Sequence, residues 1–78
     1  MSAITETPIR LGDTWAQVTV PAGDKKPLIR VIEITGLPTL SSPVNYRIVR
    51  NDAHPHRVGK HASIRRSELR RKYRAVAG

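Results

Sequence analysis

The stretch that most restricts the fold is Leu28 to Thr35, LIRVIEIT. It is dense in β-branched residues and alternates: Ile29, Val31 and Glu33 fall on one side, Arg30, Ile32 and Ile34 on the other. That is strand periodicity. Both sides are largely apolar, so the strand is central in its sheet or strongly curved.

Shorter runs of the same character flank it. TWAQVTV, Thr14 to Val20, sets Ala16, Val18 and Val20 against Trp15, Gln17 and Thr19, and Pro21 stops it. VNYRIVR, Val44 to Arg50, points Val44, Tyr46 and Ile48 one way and Asn45, Arg47 and Val49 the other, as a strand with one wet face does. The intervening PAGDKKP and GLPTLSSP are loops by their Pro, Gly and Ser content. NDAHPH, residues 51–56, is a turn, and Val58 to Arg65 is read as a fourth strand with Ala62 and Ile64 inward.

At Arg66 to Tyr73 the period changes. Leu69 and Tyr73 are four apart, Ser67 is placed to cap, and Glu68 lies near the N-terminus of the turn. So short a segment is not stable as an isolated helix; one or two turns pinned by Leu69 and Tyr73 are expected. A short strand, Arg74 to Ala77, follows. Residues 1–13 are expected to be a flexible N-terminal arm, ordered from near Ile9 or Leu11, ahead of a single domain over 14–78. For a chain of 78 residues, near the lower limit for one core, this order fits a mainly β fold. The expectation is a small SH3-like five-stranded barrel with a short helical turn near the C-terminus. A β-sheet covered by a longer C-terminal helix is the alternative.

Charge divides the chain unevenly. Arg57, Lys60, Arg65, Arg66, Arg70, Arg71, Lys72 and Arg74 stand against Glu68 alone between residues 57 and 74. Residues 1–56 are nearly balanced, so most of the formal +8 lies in that segment. Such a balance points to polyanionic partners. The few aromatic rings argue against a single-strand binder built on stacking. Cysteine is absent, excluding disulfides and thiolate metal sites. No apolar run is long enough to span a membrane, and MSAITETPIR has neither the basic start nor the apolar centre of a secretion signal. A cytoplasmic setting is expected, that of the host if the chain is phage-encoded.

Trp15, the strand Arg30-Val31-Ile32-Glu33-Ile34, Tyr46, Gly59-Lys60, Ile64, Leu69 and the closing Tyr73-Arg74-Ala75-Val76 form a further pattern. Over roughly Trp15 to Val76 the chain resembles a loose group of small uncharacterised proteins from actinobacteria and their phages. Members carry a more basic Gly-Arg step entering the central strand, where this chain has Lys25-Lys26-Pro27-Leu28. The resemblance implies the barrel fold and an actinobacterial or phage origin, and brings no activity with it.

Chemistry leaves little trace. The acids are scattered, Ser41 and Ser42 have no evident base-and-acid set, and neither phosphate-binding glycine motif occurs. An enzyme is not expected, nor is a cofactor. His54, His56 and His61 fall short of a zinc ligand set and read as exposed turn histidines. Trp15 is either an exposed contact ring or part of the core, and the lack of Phe favours the core. The cationic segment is Arg-rich, and guanidinium groups suit bidentate phosphate contacts. Arg65, Arg66, Arg70, Arg71, Lys72 and Arg74, with Arg57 and Lys60 at the margin, are therefore the expected nucleic-acid-binding residues. An acidic surface of a host protein or larger assembly is the alternative partner.

Overall fold

The central strand of the sheet is the one that begins at Leu28. In the computed structural model, which describes residues 8–23, 26–39 and 43–76, the strands are β1 (Thr14–Thr19), β2 (Leu28–Gly36), β3 (Val44–Asn51), β4 (His61–Ile64) and β5 (Arg74–Ala75). They form one antiparallel sheet in the order β4-β3-β2-β1-β5. A 3₁₀ turn, Pro55–Arg57, precedes β4, and a helix α1, Arg66–Lys72, joins β4 to β5. The mainly β expectation holds in this form: five antiparallel strands and one short helix. The sheet is open, with β4 and β5 as its two edges. Residues 1–7 of the expected arm, Asp24 and Lys25, residues 40–42, and Ala77 and Gly78 lie outside the described residues.

Register explains the core. Trp15 lies opposite Ile32, Ile32 opposite Ile48, Ile34 opposite Tyr46, and Val44 opposite Ile64. Cross-strand partners share a face, so Trp15, Ile32, Ile34, Val44, Tyr46 and Ile48 converge on one side, where all are buried. Trp15 is 2% exposed, which settles it as core. Two register shifts, between Val31 and Ile32 and between Ile34 and Gly36, interrupt the β2–β3 ladder. Bulges of this kind bend a strand and increase its twist, which wraps the apolar face inward. Gly36 sits at the second shift, where a Cβ would lie 2.9 Å from Asn45 Nδ2.

Two segments outside the sheet finish the core. Ile9, from the stretch expected as an arm, is 8% exposed within it. Its neighbours are tied to β2: Gly12 N–H donates to Ile34 O, and Ile34 N–H to Asp13 O, both at 2.9 Å. Leu69 of α1 is 0% exposed and Tyr73, which follows the helix, is 4% exposed. The helical spacing of these two residues thus translates into a pinned turn.

Three local expectations differ from the structure. The fourth strand covers His61–Ile64 rather than Val58 to Arg65. Gly59 takes φ +91° and the N–H groups of Val58 and Lys60 bond back to Pro55 O and Arg57 O, so 58–60 turn rather than extend. Ala62 faces Tyr46 but remains exposed because no strand lies beyond β4. Ser67 does not cap α1; the N-cap position is Arg65, with no side-chain hydrogen bond. The short strand expected from Arg74 is present as β5, where Arg74 pairs with Ala16.

Leu69→Ala is expected to destabilise the domain by about 2–5 kcal/mol. That is a large part of the roughly 4–12 kcal/mol available to a chain of this size. Urea unfolding followed by circular dichroism measures it, and an unchanged midpoint would show that α1 is not anchored through this residue.

Candidate anion-binding surface

The predicted cations separate into two groups. Arg65, Arg66, Arg70, Arg71 and Lys72 belong to α1 and its N-cap, with Arg74 just beyond in β5. Arg57 ends the 3₁₀ turn and Lys60 precedes β4, next to the inner face of the sheet.

The helical group is held by a mixture of contacts. Glu68 receives Arg71 from one side and Lys72 Nζ at 3.2 Å from the other. The Arg66 guanidinium donates to the carbonyl of Thr39, linking α1 to the segment after β2. Arg74 Nη1 donates to Arg70 O at 3.3 Å and to Tyr73 O at 3.2 Å. A carbonyl satisfies an N–H but does not cancel its charge. Within this group Glu68 offsets part of the positive field, through Arg71 and Lys72. The Arg71 and Lys72 hydrogen bonds hold the Glu68 carboxyl below the ordinary glutamate range.

The second group surrounds a depression of about 380 Å³ that the sequence reading did not foresee. Arg30 of β2 lines it together with Tyr46, Ile48, His56, Arg57 and Lys60. By register Arg30 lies opposite Gln17 on β1 and Asn51 on β3, on the face that carries Ile32 two residues later. Arg30 Nη2 donates to Tyr46 Oη across a long 3.4 Å, and its Nε is buried with no hydrogen-bond partner. The alternation in LIRVIEIT had already grouped Arg30 with Ile32 and Ile34. A cation on the apolar side of a central strand was the available signal.

Short-range bonds make the rim of this depression stiff. Buried Asn51 accepts the His54 N–H on its Oδ1 at 2.9 Å, starting the 3₁₀ turn. Gly59 N–H donates to Ile48 O at 2.7 Å, and Ile48 N–H to Lys60 O at 2.9 Å. Asp52 is occupied elsewhere: it accepts Ile29 N–H and Arg50 Nε, each at 2.9 Å, and Arg50 is the chief reason its carboxyl titrates low. Glu33 pairs with Arg47 at 2.9 Å. His54 and His56 are exposed, their rings edge to face with centroids 5.8 Å apart. Among the described residues no group of three His, Cys, Asp or Glu is arranged to hold a metal, and no helix is long and apolar enough to cross a membrane.

The sign of the Glu68 effect fixes a pH dependence. A carboxyl whose folded value is depressed stabilises the fold above its ordinary value, 4.5 for glutamate, and loses that contribution as pH falls through the depressed value. Glu68→Gln should therefore shrink the drop in Tm between neutral and acid pH, leaving the part due to Asp52. Thermal melts across that range test it, and an unaltered drop would count against the pairing. The same variant removes the counter-charge beside Arg71 and Lys72.

No family model, curated protein or solved structure matches the chain.

Proposed function

We propose that the chain is a non-enzymatic binding module for polyanions, nucleic acid foremost, acting mainly through phosphate contacts with weak sequence specificity. The supporting observation is that the arginines of α1 stand on a backbone fixed by fully buried Leu69 and by Tyr73. Cations held in place lose less conformational freedom on binding than the same cations on a tail. Arg65, Arg66, Arg70, Arg71, Lys72 and Arg74 would supply most contacts, and Arg57 and Lys60 the margin. Weak specificity follows from the helix itself: α1 has seven residues and is anchored by Leu69, so it offers no recognition helix for a groove. The strand order is compatible with the SH3-like barrel, in which β4 and β5 would approach each other at either end of α1. Barrel closure and a phage or actinobacterial origin belong to this proposal.

Fluorescence anisotropy with duplex DNA at about 50 and 200 mM salt tests the reading. For about four engaged phosphates, log K should fall with log[salt] at a slope of roughly −3 to −4. Arg70→Glu with Arg71→Glu should abolish binding while leaving the melting curve two-state and folded. Glu68→Gln should tighten it. Absence of binding at the lower salt would overturn the nucleic-acid reading and leave an acidic protein surface as the partner to pursue. A pull-down from nuclease-treated host lysate, repeated with the Arg70/Arg71 charge reversals, would then distinguish a specific charge-dependent partner from nonspecific retention.

A further inference from the structure

Arg30 is an unusual charge among the described residues. It occupies a core-face position in the central strand, half-buried, and its Nε has no acceptor. Buried polar groups are almost always hydrogen-bonded, and those that are not call for a reason. The partner its guanidinium does have is neutral: the Tyr46 hydroxyl, at the long distance of 3.4 Å. Burying a cation is costly unless an opposite charge or several hydrogen bonds compensate. Glu33, on the same strand, is engaged with Arg47, and Asp52, just after β3, with Arg50.

The surroundings repeat the same sign. The depression over Arg30 is also lined by Arg57 and Lys60, and among the described residues no carboxylate lines it. Tyr46 and Ile48 complete it from β3. Burial raises the pKa of Tyr73, and the Arg30 charge partly opposes that rise, placing the phenol within the field of the guanidinium. The result is a depression lined by Arg30 on β2, by Arg57 and Lys60 from the segment before β4, and by Tyr46, whose hydroxyl meets Arg30.

We propose that this depression binds a single phosphate-class oxyanion, with the terminal nitrogens of Arg30 and the hydroxyl of Tyr46 at its base and Arg57 and Lys60 closing over it. This goes beyond the α1 surface, which is proposed to meet a chain of phosphates. The depression can take one group and surround it. A planar guanidinium presents paired donors to two oxygens of such a group, and the depression is open enough to accept either free phosphate or the phosphorylated end of a longer molecule.

Titration of the ¹⁵N-labelled protein with inorganic phosphate, against chloride at matched ionic strength, tests this. Expected are saturable shifts at the Arg30 side chain and at the Ile48, Arg57 and Lys60 amides, with the α1 amides little changed. Arg30→Gln should weaken the apparent affinity at least tenfold. Because Arg30 also touches Tyr46, the paired rim variant Arg57→Gln with Lys60→Gln provides a second measurement that leaves the core intact, and it should weaken phosphate as well. A short single-stranded oligonucleotide with and without a 5′-phosphate separates the sources. Preference for the phosphorylated end identifies a chain terminus, and equal weakness of both beside phosphate identifies the free ion; each supports the site. Arg70→Glu with Arg71→Glu should spare phosphate binding, so failure here is distinguishable from failure of the duplex experiment. Shifts that never saturate, that spread over α1, or that survive in both Arg30→Gln and the rim variant would overturn the proposal.

Discussion

Removal of Leu69 from water holds the cationic end of this chain against the sheet. A helix of seven residues is too short to sustain itself, and the like charges of Arg65, Arg66, Arg70 and Arg71 work against its forming. Burying one leucine contributes about 1.5–3 kcal/mol, enough to fix a single turn when its neighbours help. Tyr73 and the Arg66 contact with Thr39 O supply that help from the C-terminal and N-terminal sides. The same burial closes the core over Trp15, Ile32 and Ile34, so the apolar interior and the display of charge depend on one contact.

Curvature is the second constraint, and it comes from β2. The register shifts on its β3 side bend the sheet so that one face becomes concave. At one end of that face the alternation delivers Ile34 and Val44 to the core; at the other it delivers Arg30 beside Gln17 and Asn51. One strand thus builds both the hydrophobic interior and the polar depression, with Ile32 at the boundary between them.

Much of this was legible in the sequence, and the reasons differ by element. Alternation located β1, β2 and β3 within a residue or two, because period-two burial leaves a direct mark on residue choice. The Leu69 and Tyr73 spacing revealed α1 for the same reason at a different period. The start of β4 was misplaced because Val58-Gly59-Lys60 has strand-like composition on its N-terminal side. Only the positive φ of Gly59 and the back-bonding to Pro55 and Arg57 show that the chain is still turning there. Ala62 was expected inside because alternation reports a face and says nothing of whether a further strand covers it. The cations of α1 and the rim were legible as a charged run, and Arg30 was not. Charge counting looks for runs, whereas Arg30 stands alone in the most apolar stretch of the chain.

The open sheet has one more consequence. Among the described residues β4 and β5 each have a strand neighbour on one side only, and sheet edges of this kind template pairing with other copies. Here both edges are short, and cations border them: Lys60 and Arg65 flank β4, while Arg74 lies within β5. Two copies approaching edge to edge would bring these charges together. Like charges at the two edges oppose that approach, and neutralising them would lower the electrostatic barrier to it.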